Sequence, residues 1–235
     1  MKNVYLITGA SSDIGMSFIC SAASKHPDAL FYAHYRTMSE KFFSLKEKFG
    51  ERIELIQADF SVSDGVQTVI QSVTQTPTHI LHLPAGKVAY KRLKQVESSA
   101  VETQMLVQVY SLLELNKVFL PLMAKQRYGR CVALVSSYVE DPPPKFMTEY
   151  IIVKYALLGL IRSLSIEYAP KYVFINAVSP HMVQTKFLQD MDERIVENLA
   201  DADPLGRHLT PEEVVEAIEF LFSDEIPIWG KNLVI

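Results

Sequence analysis

Alternation is the feature that most constrains this 235-residue chain. Short apolar runs rich in Val, Ile and Leu take turns with longer segments of helical spacing. The strand-like runs are Val4 to Thr8, Leu30 to Tyr35, Ile53 to Ala58, His79 to Leu83, Cys131 to Val135, Val173 to Val178 and Leu233 to Ile235. Helical spacing covers Ile14 to Lys25, Glu40 to Phe49, a segment capped by Ser63 and running toward Gln75, Ser99 to Gln126, Tyr150 to Ala169, and Glu212 to Phe222 behind Pro211. Repeated βαβ units require parallel strands joined by right-handed crossovers, with helices on both faces. The expected fold is therefore α/β, a doubly wound parallel sheet of seven strands. Neither a repeat nor a linker divides the chain, so residues 1–235 read as a single domain.

Charge and cysteine usage exclude some classes of function. The formal net charge is −4, which gives no electrostatic attraction to nucleic acid or to an anionic membrane. Cys20 and Cys131 both lie in apolar segments and read as packed thiols in a reducing compartment rather than a disulfide. The N-terminus enters a strand directly, and no apolar run approaches the roughly 20 residues of a membrane span. A cytoplasmic protein is expected, with no nucleic-acid or membrane partner and no metal site.

Two stretches carry chemistry. The first, Thr8-Gly9-Ala10-Ser11-Ser12-Asp13-Ile14-Gly15, leaves strand one and opens helix one. Glycines there let the backbone approach a diphosphate, whose charge is favoured by the free N–H groups of a helix N-terminus. Any tight strand-to-helix turn also favours glycine, so this turn by itself is a weak sign. The second stretch runs from Gly129 to Ala169. An apolar strand ends in Ser136 and Ser137, the prolines 142 to 144 stiffen a loop, and a helix begins near Tyr150 with Lys154 one turn later. Residues four apart share a helix face. A free tyrosine titrates near ~10, too high to work well at neutral pH. An ammonium about 4 Å away, at an effective dielectric of about 20, supplies roughly the 4 kcal/mol needed to lower it by about three units. Ser137 would hold a carbonyl or hydroxyl oxygen against the phenol.

Together these motifs resemble the short-chain dehydrogenase/reductase family, and the likeness covers nearly the whole chain; within the family it resembles 3-oxoacyl-[acyl-carrier-protein] reductase-like members. The family's Thr-Gly-x-x-x-Gly-x-Gly turn corresponds to Thr8–Gly15, and its serine, tyrosine and lysine to Ser137, Tyr150 and Lys154. The resemblance implies a Rossmann-type domain that binds a nicotinamide dinucleotide. Its contacts would come from Gly9, Ser11, Ser12, Ile14 and Gly15 in the first turn, and from Asp59 and Phe60 after strand three. Ala85 and Gly86 after strand four, and Pro180, Val183 and Thr185 after strand six, would complete them. The family's fourth catalytic residue, an asparagine, corresponds to Gln108. It also implies a homodimer or homotetramer built on helix 150–169 and the long helix before it. The apolar surround of helix 150–169 independently asks for a partner helix.

Several positions depart from the family pattern. Asp13 replaces the middle glycine of the first turn; its carboxylate is a poor neighbour for a phosphate and is expected to point away. Leu83-Pro84 replaces two asparagines that brace the central strands. Gln108 keeps an amide for a water-mediated proton relay, with one added methylene. His181 follows Pro180 where the family has glycine, and reads as a loop residue.

Cofactor choice follows from strand two, which ends His34-Tyr35-Arg36-Thr37 with no acidic residue for the ribose hydroxyls of NAD. Arg36 offers a planar fork for a 2′-phosphate, and Ser12 and Thr37 offer hydroxyls. NADP(H) is therefore expected over NAD(H), with carbonyl reduction as the working direction. The walls would be the loop Val139 to Thr148 and the segment Met182 to Leu199. They supply Pro142, Pro143, Pro144, Phe146, Met147, Met182, Phe187 and Leu188, an apolar lining suited to an acyl chain or hydrophobic ketone. The analogy suggests a 3-oxoacyl thioester on a carrier protein. Lys87, Lys91, Arg92 and Lys94 could greet such a carrier, although a solvated face is the plainer reading. An alcohol dehydrogenase for a sugar or steroid-like alcohol, or a weakened cofactor-binding subunit, stay open as alternatives.

Overall fold

The computed structural model describes residues 2–86, 89–188, 196, 197, 200, 203 and 205–235. The strands are β1 Val4–Thr8, β2 Leu30–Tyr35, β3 Ile53–Gln57, β4 His79–His82, β5 Gly129–Leu134, β6 Val173–Ser179 and β7 Asn232–Val234. They form one sheet in the order β3-β2-β1-β4-β5-β6-β7, and every pair is parallel. This is the expected Rossmann-type α/β architecture, with strand ends shifted by a residue or two.

The helices are α1 Asp13–Lys25, α2 Glu40–Phe49, α3 Gly65–Ser72, α4 Ser98–Met105, α5 Ser111–Gln126, α6 Thr148–Tyr168 and α7 Pro211–Phe222. Alternate residues of each strand face opposite sides of a sheet, and two cores result. Tyr5 and Ile7 of β1 join α1, α2 and α7 on one face. Val4 and Leu6 join α3, α5 and α6 on the other. Helix starts follow their caps: Ser12 accepts from Gly15 N at the head of α1, and Thr210 and Glu213 form a capping box around Pro211.

Two expectations need correction. Ser63 does not cap α3: Asp64 stands at the N-cap without a side-chain cap bond, Ser63 Oγ donates to Asp64 Oδ1, and the helix stops at Ser72, short of Gln75. The helical region Ser98–Gln126 is long and apolar enough to cross a membrane by length and composition alone, which the expectation of no such segment missed. Here its Leu112, Leu115, Phe119, Leu120 and Met123 are buried in the core. Between α4 and α5, residues Leu106–Tyr110 form a π-helical turn. Such turns widen the helix by one residue and re-aim the groups within it.

Candidate active site

The strand order reverses direction between β1 and β4. A parallel sheet opens a crevice there, at the C-terminal ends of its strands. A cavity of about 210 Å³ occupies this place. Ser11, Ser12 and Ile14 of the β1–α1 turn line it, with Ala85, Ser137, Tyr150, Lys154, Pro180, Val183 and Thr185. Gly9, Gly15, Arg36, Thr37, Asp59, Phe60, Gly86 and Gln108 are not among the lining residues. Arg36 and Thr37 are exposed beyond the end of β2. Asp59 follows β3, where two hydrogen bonds from Ser61 hold its carboxyl below the usual carboxylate range, with Arg36 adding to the effect.

The turn has the shape a diphosphate requires. Gly9 has φ +71, and a Cβ there would meet Pro84 N at 3.0 Å. A Cβ on Gly15 would lie 2.6 Å from Ala10 O, so helix α1 packs directly on the turn. Ser12 Oγ and O accept from Gly15 N and Met16 N. Among the described residues, nothing accepts from the Asp13 and Ile14 N–H groups, which leaves two donors of the first helical turn for an anion.

At the other end of the cavity, Tyr150 and Lys154 project from the first turns of α6. Lys154 is buried, and Nζ donates to Leu134 O at 3.0 Å. Burial holds its ammonium down to about 7. A buried ammonium with one carbonyl partner keeps donors for ribose hydroxyls, so the residues present fit a nicotinamide nucleotide. Lys154 Nζ lies 5.6 Å from the Tyr150 ring centre. The phenol is not acidic as expected: it is pushed up to about 12, because the surrounding protein withholds water from the phenolate. Ser136, whose hydroxyl interacts with the phenol, works in the opposite direction, and Tyr90 adds to the rise. The expectation assumed a fully charged neighbour, whereas burial weakens the charge of Lys154 itself.

Of the two serines, Ser136 interacts with the Tyr150 phenol. Among the described residues the buried Ser137 Oγ has no hydrogen-bond partner, while Ser137 N donates to Pro180 O. Gln108 is buried, and its Nε2 donates to Gln104 Oε1 at 3.0 Å. Gln104 itself lies against Gly86, where a Cβ would sit 2.0 Å from its Nε2. The Gln108 amide therefore faces the helix and the β4 loop, away from the cavity.

Two histidines that the sequence reading passed over brace the crevice floor. Thr8, the last residue of β1, lies level with His34 of β2 and His82 of β4. His34 Nδ1 accepts from Gly9 N at 3.2 Å, so Nε2 carries the proton and donates to Ala58 O at 3.1 Å. His82 Nε2 meets Gln108 O at 2.8 Å, a group that only accepts, so Nδ1 accepts from Thr8 Oγ1 at 2.7 Å. Burial holds His34 at about 4 and His82 at about 3, so both rings are neutral. They supply bracing where Leu83-Pro84 removes the amides.

The walls also differ. Met147 and Met182 line the cavity as expected, but Tyr90 and Tyr138 do so in place of the prolines. Pro142, Pro143 and Phe146 are exposed. The Phe187 side chain, Lys87 and residues 189–195 lie outside the described residues. Lys91 N donates to Phe146 O at 2.9 Å, and Lys91 Nζ pairs with Glu149 at 3.1 Å, which pins the β4 loop to the start of α6. His181 also lines the cavity, 3.8 Å from both Asp141 and Asp203.

The model of the family described as enoyl-(acyl carrier protein) reductase matches residues 9–235. The chain is a short-chain dehydrogenase/reductase. Similar to this reductase-family chain is the uncharacterized oxidoreductase YmfI of Bacillus subtilis, 31% identical over 229 residues, covering 96% of this chain and 93% of YmfI. The 3-oxoacyl-[acyl-carrier-protein] reductase FabG of Thermotoga maritima is 26% identical, covering 94% of this chain and 91% of its own. Among solved structures, a 3-oxoacyl (acyl-carrier-protein) reductase from Agrobacterium tumefaciens C58 with NADP bound superposes with a TM-score of 0.87 at 21% identity, covering 99% of this chain and 92% of that one. The last shares the short-chain dehydrogenase/reductase fold.

Proposed function

We propose that this oxidoreductase is an NADPH-dependent reductase of a carbonyl on an apolar substrate, and that residues 1–235 work as one cofactor-binding unit. The convergence of Tyr150, Lys154 and two serines on one cavity, with the open N–H groups of α1 at its other end, carries the reading. NADPH, when bound, supplies the hydride. Arg36 would take the 2′-phosphate, and the Asp13 and Ile14 N–H groups the diphosphate. Lys154 would hold the ribose hydroxyls. Tyr150 donates the proton to the carbonyl oxygen, and Ser136 and Ser137 orient that oxygen beside it. With its phenol pushed up to about 12, Tyr150 stands protonated at neutral pH and holds a proton to donate.

Beside these groups the lining includes Leu83, Leu134, Val135, Met147 and Met182 with Tyr90 and Tyr138. It favours an uncharged, apolar group beside the carbonyl. FabG and the Agrobacterium protein are named as 3-oxoacyl-(acyl-carrier-protein) reductases, so a 3-oxoacyl thioester is the first substrate to try. A cytoplasmic location goes with this reading.

Tyr150→Phe tests it. Turnover of NADPH with acetoacetyl thioesters should fall by at least about a thousandfold, while NADPH affinity stays nearly intact. Retained turnover in that variant removes Tyr150 from the chemistry.

A further inference from the structure

Asp13 stands at the head of α1, on the turn that borders the crevice. It lines the cavity, and Oδ2 accepts from Lys186 N at 2.9 Å. Lys186 is the first residue of the 3-10 turn Lys186–Leu188 that follows β6. Oδ1 lies 3.9 Å from Lys41 Nζ, at the start of α2. One carboxylate therefore ties the β1–α1 turn to the segment after β6. It also sits on the N-terminal residue of α1, where the helix favours negative charge. A dinucleotide reaching from Arg36 to Tyr150 must pass this helix end, since that is where a diphosphate binds in such a sheet.

We propose that Asp13 is a built-in brake on cofactor binding, a fixed negative charge beside the diphosphate niche. Its carboxylate takes the Lys186 N–H and lies near Lys41, and it leaves the Asp13 and Ile14 N–H groups of α1 open. An incoming dinucleotide meets that like charge at the helix end. The consequence is a restrained affinity for the whole dinucleotide class, set by a single side chain. This inference rests on the cofactor reading above.

The experiment measures binding by the wild type, Asp13→Asn and Asp13→Gly. The probes are NADPH, NADH and adenosine 2′-monophosphate, followed by calorimetry at low and high salt. Asparagine keeps an oxygen for the Lys186 N–H and removes only the charge, and glycine restores the smallest side chain if asparagine disturbs folding. Both variants should bind NADPH and NADH roughly tenfold more tightly at low salt. The gain should shrink as salt rises. Adenosine 2′-monophosphate, which has no diphosphate, should bind all three proteins equally. Unchanged or weaker dinucleotide binding in both variants overturns the proposal and leaves the cofactor reading standing, provided the wild type binds NADPH. An equal gain for adenosine 2′-monophosphate also overturns it, because the effect is then a general surface field. Binding of neither dinucleotide by any of the three proteins overturns the cofactor reading together with the proposal.

Discussion

Lys154 is buried, and its ammonium donates to the Leu134 carbonyl. Its folded value of about 7 lies well below the ordinary 10.5. Between those values the unfolded chain binds more protons than the folded one, so this group's contribution to stability rises with pH across that window. Below about pH 7, burying the charged form is destabilising. Lys154→Met should therefore raise the unfolding free energy more at pH 6 than at pH 9, as urea titrations at the two values can show. Ribose hydroxyls around the ammonium would restore its charge. NADPH binding at pH 8 should then take up protons, read from the dependence of binding enthalpy on buffer ionisation heat, and Lys154→Met should abolish the uptake. The Tyr150–Lys154 spacing was legible because helix periodicity is local. The choice between Ser136 and Ser137 was not, since it depends on how the backbone leaves β5: Ser136 is extended there, with φ −173, and begins a 3-10 turn.

The ends of β1, β2 and β4 form a row in which Thr8 sits between two neutral histidines. His34 holds Gly9 N, and His82 holds the Gln108 carbonyl inside the π turn. His79, at the opposite end of β4, is likewise held at about 3 by burial, with Arg130 adding to the effect. All three folded values lie below the ordinary 6.5. The stability they contribute is complete above about 6.5 and is lost as pH falls, because the unfolded chain then takes up protons that the folded chain refuses. From pH 6.5 to 5, few carboxylates titrate, and the loss should approach roughly 1.4 kcal/mol per pH unit for each histidine. Chemical denaturation at pH 7 and pH 5 measures it, and an unchanged midpoint would mean that the rings are not buried as described. The strands and helices themselves were readable from alternation and caps. The histidine row was not, because it needs three strands in register, and single-strand patterns carry no register between distant segments.

At the scale of the whole molecule, α6 buries one side on the sheet and leaves Ile152, Tyr155 and Ile166 exposed, with Gly159 open between them. Leu106, Tyr110 and Val118 are exposed along the neighbouring π turn and α5. A second copy laid on this stripe is the occupant the family resemblance implies. Light scattering should report a dimer or tetramer for the wild type, and a monomer for a variant carrying Ile152→Glu and Ile166→Glu; a monomeric wild type would retire that assembly. The two-faced architecture was legible from the first sixty residues, because each βα unit repeats the same demand. The identity of the substrate was not, since the walls come from loops whose meeting depends on contacts such as Lys91 with Glu149. The paired rings under the crevice have one more consequence. Every nitrogen of His34 and His82 is already engaged, so neither ring has a free nitrogen to offer a ligand in the crevice. Recognition in the crevice therefore falls to groups above that row, such as the Lys154 ammonium and the Ser137 hydroxyl, which has no partner among the described residues.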